Sequence, residues 1–139
     1  MGFFSNSKSS KLREFQSKIS PPVGNFADVT KAFKYKMENS DAIERALDDF
    51  FNFCAADKEV RAAMRSEQLS LTDIKQIYRD LCSRGLGEHG AMSIIAYAEP
   101  LLYFVRASKR GESELKIIMS LQDYCGGRLK GIDLLRQVE

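Results

Sequence analysis

Apolar side chains recur along this chain at three- and four-residue intervals, the period of one face of a helix. Strict alternation, the mark of a half-buried strand, is nearly absent. Leu12, Phe15 and Ile19 begin the pattern. Pro21-Pro22 ends it, because proline has no N–H and biases the preceding residue away from helix. Ser5 to Ser10 are polar, so residues 1–10 are expected to form a serine-rich tail, followed by one helical domain over 11–139. Asn25 with Asp28 three residues on resembles a capping box. Phe26, Val29, Phe33 and Met37 then make the stripe of a helix over about 26–38, broken at Asn39-Ser40.

The clearest amphipathic segment covers about 41–55 and opens on a second capping signal, Asp41 with Glu44. Ile43, Ala46, Leu47, Phe50, Phe51, Phe53 and Cys54 fall in one continuous arc, and Asp41, Glu44, Arg45, Asp48, Asp49 and Asn52 fill the opposite one. So wide an apolar face implies more than one packing neighbour. Asp57 can cap a short helix carrying Val60, Ala63 and Met64. Ser70 with Asp73 matches the S-x-x-D capping pattern and opens a helix with Leu71, Ile74, Ile77, Tyr78, Leu81 and Cys82 on one side. Gly85, Gly87 and Gly90 supply a tight connection.

The stretch over about 91–108 is apolar all round, which makes it a buried helix, with Pro100 kinking or cutting it near Ala98–Glu99. Leu115 to Cys125 forms another broad apolar helix stopped by Gly126-Gly127, and Leu129, Ile132 and Leu135 suggest a weak last helix interrupted by Gly131. The expected fold is all-α: a compact single-domain bundle of five to seven helices around a central, Pro-kinked helix at about 91–108. Asp57 to Met64 resembles one helix of a HEAT repeat, but no second copy follows and a solenoid needs several.

Charge adds a polarity that periodicity does not show. The net charge of +2 argues against a protein that coats nucleic acid by bulk charge. Residues 1–40 nevertheless carry seven Lys/Arg (Lys8, Lys11, Arg13, Lys18, Lys31, Lys34, Lys36) against three acids, while 41–60 carry two against six. With Phe3, Phe4, Phe15 and Ile19 the basic residues could make a membrane-surface or nucleic-acid arm. Glu14 and Asp28 stand within helical reach of lysines, however, and a solvated face is favoured. Glu44 and Asp48 form a like-charge i,i+4 row that wants a cation. Lys31 and Lys34 of this chain, or a partner, would supply it. These four residues are the expected partner-binding positions.

Candidate chemistry is sparse. One histidine and three cysteines without C-x-x-C spacing give no metal site, and no cofactor is expected. The cysteines read as buried free thiols in a reducing compartment, hence a cytoplasmic protein. Cys82 and His89 flank the glycine turn as a nucleophile–base pair would, without a third orienting group. Gly85-Leu-Gly-Glu-His-Gly90 lacks both the preceding strand and the G-K-[ST] ending of a phosphate loop. A helix-turn-helix reader fails because its recognition helix would be apolar on every side.

The longest apolar run, Ala91 to Val105, is too short and too interrupted to span a bilayer. Met1 to Ser10 lacks a secretory apolar region, and Asn6 departs from the myristoylation pattern. The expected function is a non-enzymatic protein–protein interaction module: an adaptor, inhibitor, chaperone-like or immunity-type protein. One alternative is a nucleic-acid-associated regulator using the basic first forty residues. The other is a small-ligand binder or enzyme with a pocket near Glu99 and His89, where a carboxylate sits in the most apolar stretch.

Overall fold

The computed structural model describes residues 2–20 and 26–139, and every regular element among them is helical. In chain order they are α1 (Gly2–Ile19), α2 (Phe26–Glu38), α3 (Ser40–Ala56), α4 (Lys58–Ser66), α5 (Leu71–Leu81), a π-helical turn (Cys82–Leu86), α6 (Gly87–Ile95), α7 (Ala98–Lys109), α8 (Glu114–Cys125) and α9 (Gly131–Arg136). The all-α class is therefore as the periodicity predicts, although the helices outnumber the five to seven expected. Pro21, Pro22 and Asn25, and the side chains of Phe3, Phe4, Phe26 and Asp28, lie outside the described residues. Two compact units divide the chain, Met1–Asn52 and Phe53–Glu139, and the division falls within α3.

In the first unit, α1 runs back through the serines where a tail is expected. Leu12 and Ile19 are buried, and the half-buried Phe15 ring meets Phe50 edge-on at 5.4 Å. With this face seated and no proline before Pro21, the serines extend an existing helix, which costs little per residue. The Tyr35 hydroxyl of α2 donates to the Lys18 carbonyl of α1 at 3.1 Å. Along α3 the two arcs separate as the sequence implies. Ala46, Phe50, Phe51 and Cys54 are buried, whereas Asp41, Glu44, Arg45, Asp48, Asp49 and Asn52 are all exposed. The helix starts one residue earlier than its expected cap. Asp41 therefore lies inside the first turn, where its charge still suits the helix N-terminus.

In the second unit α7 packs against α4, α6, α8 and α9, and α5 against α6 and the π turn. The expected caps form: Asp57 accepts from the Val60 N–H, and Ser70 and Asp73 make a reciprocal capping box. The expected 91–108 helix is two helices. α6 ends at Ile95, Tyr97 is extended (φ −128°, ψ 136°), and Pro100 lies in the first turn of α7. There its missing N–H is harmless. Deeper in a continuous helix, its ring would collide with the carbonyl four residues back, that of Ala96. The chain resolves this by breaking at Ala96–Tyr97, so that the Leu101 N–H bonds the Tyr97 carbonyl at 3.3 Å. Gly85, at φ +97°, supplies the left-handed step that turns the chain before α6. Gly131 begins α9 rather than interrupting it. A Cβ there would lie 2.6 Å from Glu99 Oε1 and 3.0 Å from Glu99 Cβ, so glycine permits the close approach of α9 to α7.

Tyr103 of α7 is wholly buried, and among the described residues its hydroxyl has no hydrogen-bond partner. An unmade bond of this kind costs about 1–3 kcal/mol. Tyr103→Phe keeps the ring and removes the orphan, so it should raise the unfolding free energy by about 1 kcal/mol in a denaturant titration. A destabilised Tyr103→Phe protein would show that the hydroxyl is bonded after all.

Candidate interaction surface

α2 packs by one side and leaves another bare. Ala32 is buried and Tyr35 half-buried, which seats the helix. Val29, Phe33 and Met37 are 52%, 66% and 67% exposed. Spaced at i, i+4 and i+8, they form a single outward ridge. The apolar stripe that the periodicity marks on α2 is therefore exposed at Val29, Phe33 and Met37. The reason is that periodicity identifies which residues share a face, not whether that face is covered.

Charge frames the ridge. Lys31 and Lys34 are exposed and Lys36 is half-buried. Lys34 Nζ lies 3.9 Å from Glu38 Oε1 on its own helix, a solvent-exposed pair of small energetic value. Glu44 and Asp48 are exposed on α3, and among the described residues neither Lys31 nor Glu44 has an ion partner. The four residues expected to bind a partner thus divide between a basic flank on α2 and an acidic row on α3. A second apolar pair, Leu115 and Met119, is exposed on α8. Leu115 borders an open hollow of about 380 Å³ with Ser83, Arg84, Glu114 and Ile118.

The other expected pocket is built differently from the sequence picture. Glu99 is exposed in the first turn of α7, and His89 is half-buried in α6, where its carbonyl accepts from the Ser93 hydroxyl at 3.1 Å. Glu99, Tyr97 and Cys125 gather around Tyr124. Burial first, and these neighbours second, push the Tyr124 phenol up to about 12. Cys125 is exposed at the end of α8, but its sulfur turns toward the Gly90 carbonyl at 3.9 Å and burial of the thiol raises its pKa. Both groups are protonated at neutral pH and so poor nucleophiles. Cys82 is half-buried and its thiol engages the Tyr78 hydroxyl. Burial, followed by Cys82 and Glu88, raises the Tyr78 pKa. Of the three free cysteines only Cys54 is buried, a correction to the expectation for Cys82 and Cys125. Among the described residues no group of three or more His, Cys, Asp or Glu side chains could hold a metal ion, and no helix is long and apolar enough to cross a membrane.

The strongest polar constellation is one the sequence does not announce. Glu67, just after α4, receives Lys109 Nζ at 3.0 Å and Arg106 Nε at 3.3 Å, both from α7. The hydrogen bond from Lys109 lowers the Glu67 pKa most. Partial burial opposes this, and Arg106 adds to the lowering. Arg106 and Lys109 are three apart and share a face of α7, but their distance from Glu67 in sequence hides the pairing. Its geometry clamps the end of α4 to α7.

No family model, no curated protein and no solved structure matches this chain.

Because the folded-state pKa of Glu67 is lowered, the clamp's stability is present above the unfolded glutamate value and lost as pH falls through the folded one. Glu67→Gln should cost about 1 kcal/mol at pH 7. The gap between wild type and variant should close as pH drops below about 4. A gap independent of pH would mean that Glu67 acts by packing rather than by charge.

Proposed function

We propose that this chain is a non-enzymatic protein–protein interaction module and that the α2 ridge is its binding surface. The observation that carries this reading is the exposure of Val29, Phe33 and Met37 in one row. Full burial of such side chains is worth about 1.5–3 kcal/mol each. Their exposure leaves that free energy for an association to recover, and contiguous apolar surface rimmed by charge is the usual form of a protein-binding site. A row at i, i+4 and i+8 is also the ridge that helices insert into the grooves of other helices. Adaptor, inhibitor, chaperone-like and immunity-type roles all use such a surface.

The basic residues of α1 support a nucleic-acid role less well. Arg13 and Lys18 border an open hollow together with Glu14, whose carboxylate repels phosphate. The three free thiols suit a reducing compartment, so the proposed setting is the cytoplasm.

Phe33→Ser with Met37→Ser removes the ridge at exposed positions, where folding stability should change by about 0.5 kcal/mol or less. In quantitative affinity purification from the native cell, the paired variant should lose polypeptides that the wild-type chain retains, with circular dichroism unchanged. Retention of the same set by both proteins would refute the assignment.

A further inference from the structure

We draw no further inference here: the strongest candidate, the exposed apolar pair Leu115 and Met119 of α8 beside the hollow at Ser83 and Arg84, carries none, because Arg84 already pairs with Glu114 and nothing in the structure shows what covers the pair.

Discussion

Pro100 is the constraint on which the second unit depends. It stands in the most apolar stretch of the chain, where a continuous helix would need cover on every side. Because its ring cannot follow the Ala96 carbonyl in a helix, the stretch becomes α6 and α7, which pack against one another. Each then needs cover on only part of its circumference, and α4, α8 and α9 complete α7. Polar contacts at the periphery hold this arrangement in register. Glu67 ties α4 to the last turns of α7. Arg84, in the π turn, stands 5.7 Å from the Phe104 ring and 3.6 Å from Glu114, and so relates α7 to α8. In this unit the apolar residues that periodicity identifies are mostly consumed by the fold.

The first unit presents the opposite economy. Its α3 face is buried and its α1 stripe is seated, yet the ridge of α2 remains in solvent. That asymmetry gives the chain a candidate function. An uncovered ridge carries a hydrophobic driving force, whereas the raised pKa values of the Tyr124 phenol and the Cys125 thiol leave neither as a prepared nucleophile.

Local features of the fold were legible in the sequence. The six polar positions of α3 all face solvent because a helix with two chemically distinct arcs has one way to lie on a core. Asp57 and Ser70 cap their helices because capping is decided within four residues. Features that depend on distant residues were not legible. The Glu67 clamp joins groups 39 and 42 positions apart. The break falls at Ala96–Tyr97 rather than at Ala98–Glu99, since a proline fixes where helix cannot continue, not which upstream residue gives way. For the candidate site, Lys31, Lys34, Glu44 and Asp48 were identifiable as charged positions. The exposure of Phe33 and Met37 on α2 was not, because amphipathicity is the same whether the covering element is in the chain or in a partner.

The chain leaves its α2 ridge uncovered, and methionine oxidation tests this directly. Met37 is 67% exposed and Met92 is wholly buried. In the isolated native chain treated with dilute peroxide, peptide mass spectrometry should find Met37 converted to the sulfoxide at a rate close to that in the denatured chain, with Met92 strongly protected. Protection of Met37 equal to that of Met92 would mean that the chain covers its own ridge, and would contradict an α2 surface open to a partner.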